Sequence, residues 1–159
     1  MRNRVFLALV LCVTLITTGF AQNKKAAKVN LDEQIKLNGK VRTGKLDNGL
    51  TYYVRANNKP ANRAEFQIAI NAGSVLEEAN EVGLAHFTEH MGFNGTKHYP
   101  GNTMIDDLEK EGIVFGREIN AYTGFDQTVY MVTLPTDNSR LFDMGLKILD
   151  GWASGMLMT

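Results

Sequence analysis

Two of the chain's three histidines, His86 and His90, stand four residues apart with Glu89 between them. In a helix each residue turns about 100°, so His90 falls roughly 40° from His86 and Glu89 roughly 60° to the other side. One helical face would then offer two imidazoles and a carboxylate. Neutral imidazole nitrogens at i and i+4 can reach one zinc ion. A catalytic zinc keeps a position open for water and brings that water's pKa to about 7. A carboxylate beside it can take the water's proton and pass it to a leaving amine. Glu89 is spaced for that role, in the reverse order of the commoner His-Glu-x-x-His zinc helix. The same spacing also describes two surface histidines on an amphipathic helix.

The helix that must hold this face carries Leu84, Phe87 and Met91 about 100–160° round from His86, an apolar stripe expected to pack on a core. Glu77, Glu78 and Glu81 precede it, where acidic side chains complement a helix N-terminus; a second metal site is the other reading. Further upstream, Asn48-Gly49 is a two-residue hairpin signal between a strand near 41–46 and one at 50–55. In the latter Leu50, Tyr52 and Val54 alternate with Thr51, Tyr53 and Arg55, as in a half-buried strand. A turn through Pro60 leads to a strand over 64–72 with Phe66, Ile68 and Ile70 on one face, ended by Gly73-Ser74. After the histidine helix, His98 reads as a solvated loop residue rather than a ligand. A helix over 104–111, stopped by Gly112, precedes strand-like residues up to 123 and a strand over 127–134. Asp137 or Asn138 caps a last helix with Leu141, Phe142, Ile148, Leu149 and Trp152 as its apolar stripe. This order predicts an α+β fold, a mainly antiparallel sheet with helices packed on one face.

With 159 residues, 44% of them hydrophobic and 21% charged, the chain can build one domain with a real core. A net charge of zero gives no basic footprint, so nucleic acid is not an expected partner. Arg2 and Arg4 precede an apolar run over 5–16, broken at Thr14 and too short to span a bilayer. With Gly19 and Ala21 as small residues behind it, residues 1–21 read as a secretory signal peptide cut after Ala21; an uncleaved anchor is the alternative. The expected location is the periplasm or the extracellular space, without stable membrane association after cleavage. Residues 22–40, with Lys24, Lys25 and Lys28, read as a flexible lead-in, and 41–159 as one partial domain. Cleavage would remove Cys12, the only cysteine, which excludes a thiol nucleophile, a cysteine zinc site and a disulfide. Any zinc site must use histidine and carboxylate.

From about residue 44 to 159 the chain resembles the insulinase/pitrilysin family of zinc metallopeptidases, the inverzincins, in its bacterial secreted form. The resemblance is carried by Asp47-Asn48-Gly49-Leu50, by the run His86-Phe87-Thr88-Glu89-His90-Met91-Gly92-Phe93-Asn94-Gly95-Thr96, and by Asn120-Ala121-Tyr122-Thr123 followed by Asp126 and Tyr130. It implies zinc as cofactor, His86 and His90 as its ligands, Glu89 as the base, and hydrolysis of peptides or unfolded proteins. It implies that Asn120 and Ala121 lie on an edge strand beside the zinc, where an extended substrate adds as a further strand. It also implies a third ligand, a glutamate on a later helix beyond Thr159, and further domains or a partner chain that close round the peptide. The chain is therefore expected to be the N-terminal part of a catalytic domain, impaired in hydrolysis by itself. A non-catalytic peptide-binding or assembly module is the alternative.

Overall fold

The computed structural model describes residues 30–158, so the signal-peptide reading of residues 1–21 and the start of the lead-in lie outside it. The chain divides into two compact units between Val54 and Arg55.

The first is built on a hairpin of β1 (Val41–Lys45) and β2 (Thr51–Arg55). Gly49 N–H donates to the Leu46 carbonyl, Leu46 N–H donates to the Leu50 carbonyl, and Gly49 has a φ of 91°. The loop is therefore three residues, Asp47, Asn48 and Gly49, not the two-residue turn predicted. The glycine takes the left-handed position that follows the turn instead of a central one. Every residue of β2 is exposed, so the alternation over 50–55 does not mark a half-buried face. Among the described residues this unit has only the two strands, which supply no second layer for such a face to pack on.

The second unit runs β3 (Arg63–Ile70), a short 3-10 turn (Ser74–Leu76), α1 (Leu84–Met91), α2 (Thr103–Lys110), β4 (Ile119–Thr123), β5 (Thr128–Pro135) and α3 (Ser139–Ser154). Its sheet has the order β3-β5-β4 and is antiparallel throughout, with Phe66 opposite Val132 and Ala121 opposite Tyr130. The central strand β5 sends Tyr130, Val132 and Leu134 into the core from alternate positions, and Phe66 joins them from β3. On that face α3 packs Leu141, Met144, Ile148 and Trp152, at helical spacing, while α2 adds Met104 and Leu108. Gly145 lets the Phe66 ring lie against α3, since a Cβ there would stand 2.6 Å from the ring. Phe142, assigned to the buried stripe from sequence, sits at its margin, exposed but edge-on to Phe66. Asn138, not Asp137, caps α3, its side chain accepting the Arg140 N–H at 3.0 Å. The architecture is the α+β class predicted, with an antiparallel sheet under helices.

Candidate metal centre

The histidine helix α1 meets the sheet by its small side. Leu84 is 50% exposed and Phe87 62%, against the expectation that this stripe packs on a core. Glu89 and Gly92 are buried, and Ala85, Thr88 and Met91 are half-buried. The reason is close approach: Gly92 lies on the Tyr130 ring, where an added Cβ would meet it at 2.6 Å. A face of leucine and phenylalanine would hold the helix too far off for that contact. Two buried aromatic side chains then fix the backbone. Trp152 Nε1 donates to the Gly92 carbonyl at 3.0 Å, and the Tyr130 hydroxyl donates to the Thr88 carbonyl at 3.4 Å. Burial, with Glu89's negative charge adding to it, pushes the Tyr130 phenol up to about 12, so it remains a neutral donor.

The N-terminus of α1 starts at Gly83, with a φ of 92° and no side-chain cap of its own. Glu77 supplies one from just beyond the 3-10 turn. Its carboxylate accepts from Gly83 N–H at 2.9 Å and Ala85 N–H at 2.8 Å. The Gly83 bond, then the Ala85 bond, holds the Glu77 carboxyl below the ordinary glutamate range. Of the three glutamates assigned to this terminus, Glu77 bonds the helix, while Glu81 instead accepts the Glu78 N–H.

His86 and His90 meet at their Nε2 atoms, 3.1 Å apart, with their rings edge to face. At most one of the two nitrogens can carry a proton in that arrangement. Two nitrogens each about 2.0–2.1 Å from one tetrahedral zinc stand roughly 3.3 Å apart, so the pair fits such an ion. Glu89, only 7% exposed, places Oε2 4.0 Å from His86 Nε2 and accepts a hydrogen bond there from Thr123 Oγ1 at 2.9 Å. Among the described residues no group of three or more histidine, cysteine or acidic side chains could hold a metal, so the histidines form a two-ligand platform. A recess of about 500 Å³, a size usual for small-ligand clefts, opens beside them and is lined by Glu77, Val82, His86, Glu89, Ala121 and Thr123.

β4 forms one edge of its sheet, and of the two residues assigned there Ala121 lines the recess. Asn120 is exposed, and its Oδ1 accepts the Ala121 N–H at 3.0 Å, which occupies a backbone donor. His98 lies exposed in a loop, as predicted, and in addition has a partner. It bonds Asp150 of α3 at 2.5 Å, and Lys97 bonds the same oxygen at 2.9 Å. These two bonds, His98's first, hold the Asp150 carboxyl below the usual aspartate range. Sequence reasoning missed Thr123 and Trp152 as residues that place the site. Thr123 had a signal, since it shares a strand face with Ala121 at a period of two. Trp152 had none beyond its apolar stripe.

The model of the insulinase family, peptidase family M16, matches residues 52–158. The chain is similar to the probable zinc protease PqqL of Escherichia coli, with 43% identity over 154 residues, 97% of this chain and 16% of that protein. It is similar to a zinc protease PQQL-like of Arabidopsis thaliana, with 42% identity over 111 residues, 70% of this chain and 12% of that one. A crystal structure of the first half of the periplasmic protease PqqL from Escherichia coli matches with a TM-score of 0.74 at 42% identity, over 79% of this chain and 27% of that one. The chain spans about a sixth or less of the length of these curated relatives. An antiparallel sheet with a His-x-x-Glu-His helix at its edge is the frame of a peptidase class. The chain belongs to the insulinase family, peptidase family M16.

Proposed function

We propose that this chain is the metal-binding and water-activating part of a secreted zinc-dependent endopeptidase acting on peptides or unfolded proteins. The observation that supports it is the pair of Nε2 atoms 3.1 Å apart with the buried Glu89 beside them. Zinc bound there supplies a Lewis acid and makes a water acidic enough to lose a proton near neutral pH. His86 and His90 would hold it from one helical face. Glu89 takes the proton on its carboxylate and returns it to the leaving amine. Asn120 and Ala121 offer the β4 edge to an extended substrate, whose backbone supplies much of the binding and so tolerates many sequences. For that, the Asn120 side chain must release the Ala121 N–H. The third ligand in this reading is a glutamate outside the chain, and further domains or a partner chain complete the peptide chamber. Residues 1–21 direct export to the periplasm or beyond; the matched Escherichia coli protein is a periplasmic protease.

A second reading, a peptide-binding module without chemistry, is favoured by one observation, that no third ligand joins the pair among the described residues. Zinc titration of the purified chain separates the two. One zinc per chain, bound weakly and lost in His90→Ala, is expected. Zinc binding unaffected by His90→Ala would overturn the proposal, and absence of zinc binding with intact peptide binding would favour the second reading. Two ligands alone hold zinc poorly, so little peptide hydrolysis is expected from the isolated chain. Robust cleavage abolished by Glu89→Gln would disprove that impairment.

A further inference from the structure

The two oxygens of Glu89 are not equivalent. Oε2 accepts the Thr123 hydroxyl at 2.9 Å and lies 4.0 Å from His86 Nε2. Oε1 has no partner among the described residues, and no buried side-chain polar atom there lacks one, so Oε1 is not sealed from solvent; Glu89 lines the recess. Thr123 is the last residue of β4, two beyond Ala121 and on the same strand face. Tyr130 also lies near Glu89, but its hydroxyl is given to the Thr88 carbonyl. Thr123 is thus the donor that the carboxylate has. A glutamate side chain has three rotatable bonds, and burial alone does not choose between carboxylate orientations. A single hydroxyl proton aimed at one oxygen does.

We propose that Thr123 is a positioning residue: its hydroxyl anchors Glu89 through Oε2, fixes the orientation of the carboxylate, and ties the base to the strand that would carry the substrate. This rests on the reading of Glu89 as the base. The arrangement follows the general pattern in which a proton-transfer group is oriented by a further group behind it.

The test compares the purified chain with Thr123→Val, which keeps the shape without the hydroxyl, and Thr123→Ser, which keeps the hydroxyl. In the metal-free protein with ¹³C-labelled glutamate, the Glu89 γ-methylene protons report the rotamer. A single rotamer is expected in wild type and Thr123→Ser, and an averaged one in Thr123→Val, at unchanged melting temperature. A fixed Glu89 in Thr123→Val overturns the proposal whether or not the chain cleaves peptides. In the low residual peptide hydrolysis expected with added zinc, kcat should fall about 10–100-fold at unchanged KM in Thr123→Val and recover in Thr123→Ser. Equal kcat in wild type and Thr123→Val overturns it too. A wild type that binds no zinc at His86 and His90 defeats the reading of this site as a metal centre, and the rotamer measurement still decides whether Thr123 anchors Glu89.

Discussion

Helices α1 and α3 flank one sheet but are held in opposite ways. α3 has sixteen residues and buries six of them, among them Leu141, Met144, Ile148 and Trp152. α1 has eight residues and buries one, Glu89. Removal of apolar area from water holds α3, a strong force without direction. Four polar ties hold α1: Glu77 at its N-terminus, Thr123 at Glu89, Tyr130 at the Thr88 carbonyl and Trp152 at the Gly92 carbonyl. A helix of two turns is marginal alone, so these ties supply both its stability and its azimuth. Hydrogen bonds have narrow angular limits, which suits the helix that must aim two nitrogens at one point. This unit keeps its stability and its aim on separate elements.

The largest effect should come where the two modes meet. Trp152 fills the core beneath α3 and also donates to α1, so Trp152→Ala should cost about 3–5 kcal/mol in denaturant unfolding and loosen both helices. A loss below about 1 kcal/mol would mean the core is not what holds α3. Gly92→Ala should act on α1 alone. Its Cβ would press into the Tyr130 ring, and overpacking of this kind costs about 1–3 kcal/mol. Hydrogen exchange should quicken in α1 while the α3 amides stay protected. Equal loss of protection in both helices would erase the contrast.

Glu77→Gln sharpens it further, because it touches only a polar tie. The folded Glu77 carboxyl is held below its ordinary range, so its contribution is fully present above that range and is lost as pH falls through the lower folded value. The protection factors of the Gly83 and Ala85 amides, taken against the intrinsic exchange rate at each pH, should fall in Glu77→Gln at neutral pH. In wild type they should fall only on acidification below the glutamate range, with little change in global melting. Exchange that ignores both the substitution and the acidification would remove Glu77 from the ties on α1.

How the two helices are written in the sequence differs for the same reason. The Leu141, Ile148 and Trp152 stripe of α3 is periodic and was readable, because apolar burial leaves an apolar pattern. Gly145 and Gly151 were not, since their inward place is set by Phe66 and Thr96, far away in the chain. On α1 the spacing of His86, Glu89 and His90 is local geometry, and it brings the Nε2 atoms together as read. Which face turns inward is decided by Tyr130 and Trp152, and the apolar rule pointed the wrong way at Leu84 and Phe87, while Met91 is half-buried. The hairpin shows the same limit at smaller scale: Asn48-Gly49 marked the turn, but the backbone chose which position the glycine fills.

The smallest effect is also the one that decides whether α1 is held by polar ties. Were it seated by its apolar stripe, Phe87→Ser would strip the centre of that seat and cost several kcal/mol, as truncations of buried aromatics do, about 3–5 kcal/mol. With Phe87 62% exposed, the expected change is within about 0.5 kcal/mol of zero, as for ordinary surface positions. The variant should also be less prone to self-association, because it breaks up the exposed apolar surface shared with Leu84 and Val82. Denaturant unfolding of wild type and variant side by side checks both halves when run at two protein concentrations. A loss beyond about 1.5 kcal/mol that does not depend on concentration would put α1 under the same apolar hold as α3. A loss that grows with dilution would instead mean that copies of the chain cover the stripe in solution, and the hydrogen bonds to Glu77, Thr123, Tyr130 and Trp152 would remain the ties within a single chain.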